Sequence, residues 1–148
     1  MKNIDIPPVW LVGFVALAYL QVQFLPGPGL GGAWADFVGG LAVGAGALLT
    51  ALAVREFRRH RTTIHPHGDE SALITSGIFR RSRNPIYLAD LLILAGLIFF
   101  WDAVWSLPLI PLFFWILQRR FVEPEENGLR KKFRMRYAAY TRKTRRWF

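Results

Sequence analysis

Cysteine is missing from all 148 positions. That absence excludes a disulfide framework, a thiolate nucleophile and a Cys-ligated metal. Histidine is nearly as sparse, at three residues. His65 and His67 flank a proline with no third ligand in register, so no metal centre is expected and the pair reads as part of an ordered loop. Acidic side chains are few: ten Asp and Glu stand against nineteen Lys and Arg, for a net charge of +9. There is no internal repeat and no low-complexity tract.

Apolar residues are what the chain has in quantity. They make up 53% of it, with six Trp and twelve Phe, against roughly 45–50% in a soluble domain even when Gly is counted. A soluble helical bundle with a large core could carry that composition, and run length decides against it. Residues 37–54, FVGGLAVGAGALLTALAV, are eighteen positions without a charge, the length at which a membrane span becomes the first reading. Residues 8–25, PVWLVGFVALAYLQVQFL, make another eighteen with two glutamines near the end. From Ile86 to Gln118 the only charges are Asp90 and Asp102, a stretch suited to two short helices turning near Trp101 and Asp102. The expected fold is one all-α integral membrane domain of about four transmembrane helices, near 8–25, 35–54, 85–101 and 103–120, the last two a helical hairpin. Lys2 before the first run imitates a signal peptide, but no small-x-small cleavage pattern follows and FLPGPGLGG reads as a turn, so the segment is kept as a span.

The charge sorts by side. Lys2 is at the start, seven arginines lie between residues 55 and 83, and eleven Lys and Arg lie from Arg119 onward, while the connections at 26–36 and 101–106 carry none. Four spans with both termini and the middle loop cytoplasmic satisfy the positive-inside rule throughout. The same cationic face suits anionic headgroups, at roughly 1 kcal/mol per Lys or Arg near the surface. Nucleic acid is not the expected partner, because a groove-binding module has no need of four apolar spans; the bilayer is. The location that follows is a bacterial inner membrane.

Gly40 and Gly44 stand at GxxxG spacing in the second span, with Gly39 and Gly46 nearby, which permits close helix approach. A cytoplasmic connection over 55–84 follows. It ends in RSRNPIYLAD, where Asn84 suits an N-cap and Pro85 a first helical position. Neither explains Asp90, one turn beyond Tyr87. A carboxylate there costs a few kcal/mol unless paired or wet, so it implies a cavity or a partner. After the fourth span, Pro124 begins a cytoplasmic amphipathic helix over 124–141, with Glu125 and Glu126 in its first turn where carboxylates suit the dipole. Leu129, Phe133, Tyr137 and Tyr140 share one face, to lie on the bilayer or on the protein's own surface.

The ordered set Arg83-Asn84-Pro85-Ile86-Tyr87, a two-span hairpin and Glu125-Glu126 about forty residues later resembles the isoprenylcysteine carboxyl methyltransferase and phospholipid methyltransferase group of integral-membrane enzymes. The resemblance covers residues 62–148 and touches the first two spans only in character. It implies S-adenosylmethionine as cofactor and methyl transfer to a lipid-like or isoprenoid acceptor. By position it implies that Ser71, Ala72, Leu73, Ile74, Phe79, Asn84, Pro85, Ile86, Tyr87 and Glu125 line the cofactor pocket. The arginine that serves the acceptor in the prenylcysteine enzymes falls on Phe121, leaving Arg119 and Arg120 as substrate-binding candidates. Three other positions depart from the pattern: Asn84 where those enzymes have His, Ala89 where many relatives have Gly, and Arg134 where Gly often follows the Phe.

Methyl transfer from a sulfonium needs no metal and no covalent enzyme intermediate. The protein positions donor and acceptor near 3–3.5 Å, worth roughly 7–11 kcal/mol of barrier. Glu125 or Glu126 can meet hydroxyls or an amino group, and Arg83 with the N–H groups at the helix start can meet a carboxylate. Tyr87 and Phe79 offer faces to adenine or the sulfonium. Arg83, Glu126 and Asp90 are the candidates for catalytic work. Two other classes compete, a small four-span transporter and a non-catalytic membrane scaffold. The first would want an acid at mid-membrane, and the second leaves the Glu pair and Asp90 unexplained.

Overall fold

The computed structural model describes residues 5–62 and 73–148. His65, His67, Ser71 and Ala72 lie outside the described residues. Five α-helices form among them, and no strand: α1 Pro7–Phe24, α2 Ala33–Arg59, α3 Pro85–Phe100, α4 Leu109–Ile116 and α5 Glu123–Lys143. Proline opens α1, α3 and α5, where its missing N–H would be unpaired in any case. Asp36 in the first turn of α2 and Arg58 and Arg59 in its last complement the helix dipole.

Two of these helices, α1 and α2, are long and apolar enough to cross a membrane, and only 17% of each apolar window is buried inside the molecule. A helix forming the core of a soluble protein would be mostly covered. Here Val12, Leu17, Phe24, Phe37, Leu41 and Leu48 stand exposed. So much outward apolar surface suits a hydrocarbon solvent better than water. The described residues are helix and turn throughout, with two candidate membrane spans. The third apolar helix is shorter, at 16 residues, or about 24 Å of rise.

The main seam joins α2 to α3. The GxxxG pair is not part of it: Gly40 and Gly44 face open space. Gly39 and Gly46 make the approach instead. A Cβ on Gly39 would come within 2.5 Å of the Gly96 carbonyl oxygen, and one on Gly46 within 2.8 Å of that of Ala89. Seven residues are about two turns, so this pair shares a face as well as a GxxxG pair does. The glycine opposite, Gly96, selects which face is used.

At the far end of the seam, the turn at Trp101 and Asp102 forms as expected. Asp102 adopts a φ of 54°, and its carboxylate accepts the Leu30 N–H at 2.9 Å, tying the turn after α1 to the turn after α3. Ser106 donates to Gln21 at 2.9 Å, which gives one of the two glutamines its partner. Phe14 packs on Phe113 with ring centroids 5.0 Å apart in the core between α1, α3 and α4.

Boundaries differ from the expected ones in three places. Residues 103–108 belong to the hairpin turn, with a 3-10 turn at Val104–Ser106, rather than to the fourth span. Helix α2 runs on through Arg59, past the end set by hydropathy. No break precedes Pro124. The chain passes from α4 through a π-helical stretch, Leu117–Val122, directly into α5, because Pro at the head of a helix lacks only an N–H that the π turn leaves unclaimed. The interruption comes later, at Arg134, with φ 41° and ψ −108°. The face bearing Leu129, Phe133, Tyr137 and Tyr140 closes on Leu73, so it covers the protein's own surface.

Candidate functional site

Where α2 ends and α3 begins, the helices splay around a cavity of about 240 Å³. Its walls come from five places. Ile6, Pro7 and Pro8 enter from the head of α1, and Thr50, Val54 and Phe57 from α2. Phe79 comes from a 3-10 turn at Gly77–Arg80. Arg83 through Tyr87, Asp90 and Glu125 complete it. A smaller hollow beside it, lined by Leu73, Ile74, Thr62 and Tyr140, shares Phe57, Phe79, Arg83 and Glu125 as common walls.

Tyr87 and Glu125 meet directly. The tyrosine hydroxyl donates to Glu125 Oε2 at 2.7 Å across 38 residues of sequence. Tyr87 also stacks on Phe121, centroids 6.3 Å apart at 28°. Phe121, the position where the resemblance calls for an arginine, is thus a buried support for Tyr87.

Asn84 occupies the N-cap position of α3, but its side chain makes no cap hydrogen bond. Its amide donates to the Arg146 carbonyl at 3.0 Å, while its own N–H is taken by Ser82 Oγ at 3.1 Å. The first-turn N–H groups of α3 are therefore not covered by the cap residue, and they point toward the cavity end of the helix.

Glu126 faces away from the cavity. It is 4% exposed and receives a two-pronged grip from Arg146, Nε to Oε1 at 3.0 Å and Nη2 to Oε2 at 2.8 Å. Arg83 adds a third contact at 3.5 Å. The hydrogen bond to Glu126 holds the Arg146 guanidinium above its ordinary pKa. Around this ion cluster, residues 144–147 form a strap. The Arg83 N–H donates to the Arg145 carbonyl at 3.0 Å, Tyr140 donates to the Phe79 carbonyl at 2.7 Å, and Trp147 packs on Phe114. Burial, and then the charge of Glu126, push the Tyr137 hydroxyl up from its usual range; burial does the same to Tyr140.

Arg119 and Arg120 are also away from the cavity. Arg119 is exposed and pairs with Glu123 at 3.4 Å. Arg120 bonds Asp5 at 2.7 Å and lies over the Trp10 ring, on the other flank of α1.

Of the residues singled out by sequence, Phe79, Arg83, Asn84, Pro85, Ile86, Tyr87, Asp90 and Glu125 converge on one cavity. Leu73 and Ile74 line the hollow adjoining it. The model of the phospholipid methyltransferase family matches residues 34–136. The chain belongs to that family. No curated protein and no solved structure matches it.

The phospholipid methyltransferase match begins in α2, upstream of residue 62 where the motif resemblance starts, and takes in the cavity walls from Thr50 to Glu125. It leaves out the head of α1 and the 144–147 strap. The head of α1 lines the cavity and the strap holds Arg83 and Asn84, and sequence reasoning missed both. It also missed Thr50, Val54, Phe57 and Glu56. Thr50 had a signal: it is the one polar side chain in the run 37–54. Glu56, 6% exposed, accepts the Ser76 hydroxyl at 2.5 Å and fills the space beside Gly77, where a Cβ would come within 2.6 Å of it at a φ of 59°. That contact aims Phe79 into the cavity from a turn whose sequence shows only TSG.

Proposed function

We propose that this protein transfers the methyl group of S-adenosylmethionine to a lipid-like or isoprenoid acceptor at the cytoplasmic face of a bacterial inner membrane. Four spans, with both termini cytoplasmic, would bring the cavity to that face. The observation that carries the reading is the joint enclosure of one cavity by the Arg83–Tyr87 step and Glu125, drawn together by the 2.7 Å bond from Tyr87. Membership of the phospholipid methyltransferase family supports methyl transfer as the reaction.

The residues present suit such a cofactor. Arg83 Nε is buried without a hydrogen-bond partner among the described residues, a donor awaiting an anion such as an amino-acid carboxylate. The uncapped first turn of α3 supplies backbone donors beside it. Glu125 offers a carboxylate to ribose hydroxyls or to the α-amino group, and Phe57, Phe79 and Tyr87 offer aromatic walls to a purine or a cationic sulfur. Leu73 and Ile74 extend the apolar lining. When bound, the cofactor supplies an electrophilic methyl group.

The chain's own contribution is then binding, orientation and exclusion of water. Tyr87 holds Glu125 in place, Phe121 backs Tyr87, and Glu126 with Arg146 fixes Arg83. The Asp90 end of the cavity lies about 8 Å along α3 from Pro85, toward the bilayer interior, where an apolar acceptor would enter sideways from lipid.

Calorimetric titration of detergent-solubilised protein with S-adenosylmethionine tests the reading. Saturable binding is expected, with Glu125→Ala and Tyr87→Ala each weakening it about tenfold or more. A flat titration of the wild-type protein would overturn it. Feeding isotopically labelled methyl donor to membranes with and without the protein then identifies the methylated lipid.

A further inference from the structure

Asp90 is 6% exposed and lines the cavity. Its Oδ2 atom is closed off from solvent and has no hydrogen-bond partner among the described residues. A buried carboxylate oxygen left so costs at least about 1–3 kcal/mol, so a fold that keeps it there without need would be expected to supply a donor.

Among the described residues, the side-chain hydroxyl and amide donors around the cavity are directed elsewhere. The Thr50 hydroxyl bonds the Gly46 carbonyl of its own helix at 3.0 Å. Tyr87 gives its proton to Glu125 at 2.7 Å. The Asn84 amide is turned to the Arg146 carbonyl. Arg83 spans Glu126 and Tyr137 with its terminal nitrogen, and its unpartnered Nε forms no ion pair with Asp90. The other walls, Glu125 aside, are aliphatic, aromatic or proline side chains without a donor. No described residue gives Asp90 Oδ2 a donor, which leaves that place to a guest in the cavity.

We propose that Asp90 is the specificity-determining residue for the methyl acceptor. It receives a head group that donates a hydrogen bond, an amine, hydroxyl or thiol carried on an apolar tail, and it rejects a head group that is a carboxylate. The inference rests on the methyl-transfer reading and adds the acceptor's chemistry to it. A carboxylate head brings only acceptors to an oxygen that lacks a donor, and the free donor of the nearby cation, Arg83 Nε, is assigned to the carboxylate of the cofactor. A donating head removes the deficit at Oδ2, with the tail against the apolar walls.

Three alkyl probes of equal length test this in calorimetric titrations of the detergent-solubilised full chain: dodecylamine, 1-dodecanol and dodecanoate. Each probe's affinity is corrected for its measured partition into micelles, which is the same for every variant, so the remaining preference reports the site. In the wild type, the amine and the alcohol are expected to bind at least about tenfold tighter than dodecanoate. In Asp90→Asn, whose amide donates as well as accepts, that preference should fall by about tenfold. Asp90→Leu, which removes both oxygens, should abolish it and gives a second reading if the amide variant folds poorly. Equal binding of the three probes by the wild type, or a preference unchanged in Asp90→Asn, overturns the proposal. S-adenosylmethionine is titrated alongside. Donor binding without probe preference overturns the role of Asp90 alone; absence of donor binding overturns the methyl-transfer reading and the acceptor role with it.

Discussion

Arg134 sits inside α5 with φ 41° and ψ −108°, a backbone state that crowds any Cβ and costs a non-glycine residue about 1–3 kcal/mol. Arg134→Gly removes the crowding at the price of some unfolded-state entropy. A net gain of about 1 kcal/mol is expected, read as a rise of roughly 2–4 °C in the thermal midpoint in detergent; a lowered midpoint would show that the arginine side chain holds the kink. The sequence flagged this position only through the family pattern, where Gly often follows the Phe. Local rules pointed elsewhere, since Arg is a good helix former and the nearest breaker, Gly128, lies within an unbroken turn of α5. Asn84 teaches the same thing from the other side. Its place at the head of α3 was legible from the Asn-Pro step, but its hydrogen bond goes to a carbonyl 62 residues away, and local spacing carries no trace of that partner. Asp90 was legible because a single charge in an apolar run has few ways to be accommodated.

At the scale of elements, the seam between α2 and α3 depends on glycine where backbones nearly touch. Gly39→Ala would drive a methyl to 2.5 Å from the Gly96 carbonyl, and a cost of about 1–3 kcal/mol is expected from the forced shift. Gly44→Ala, on the open face, should be neutral or stabilising by up to about 1 kcal/mol through helix propensity. Thermal midpoints of the two variants, measured side by side, separate this seam from a GxxxG one, for which the order would reverse. Spacing revealed that α2 packs closely but not on which side, because that depends on the partner's own glycine. The strap is a second case of element-scale organisation. Arg146→Ala leaves buried Glu126 with Arg83 alone at 3.5 Å, and a loss of about 1–3 kcal/mol is expected. Since the strap's carbonyls also hold Arg83 and Asn84, S-adenosylmethionine affinity should fall about threefold to tenfold. Arg146→Lys keeps the charge without the two-pronged geometry and should restore part of it. Donor affinity unchanged in Arg146→Ala would leave the strap a stabilising feature with no hold on the site.

For the whole molecule, the deciding quantity is the distribution of nineteen Lys and Arg about an apolar slab. None falls in the connections 26–36 and 101–106, whereas the end bearing the cavity gathers Arg83, Arg119, Arg120 and the basic face of α5. Moving one such cluster through hydrocarbon costs about 2.5–3.5 kcal/mol per residue on insertion scales, so the opposite orientation is heavily disfavoured. The absence of cysteine makes the test direct, because any introduced thiol is the only one in the chain. Pro28→Cys, on the exposed turn between α1 and α2, should react with a membrane-impermeant maleimide in intact cells. Arg142→Cys, exposed near the end of α5, should react only after the membrane is opened. The reverse pattern would put the cavity on the outer face, away from the cytoplasmic supply of methyl donor, and no internal geometry could then sustain the proposed reaction. Labelling of both sites in intact cells would mean that α1 and α2 do not cross as a pair. In that case the apolar surface left exposed on both helices would have to be covered by another chain instead of lipid.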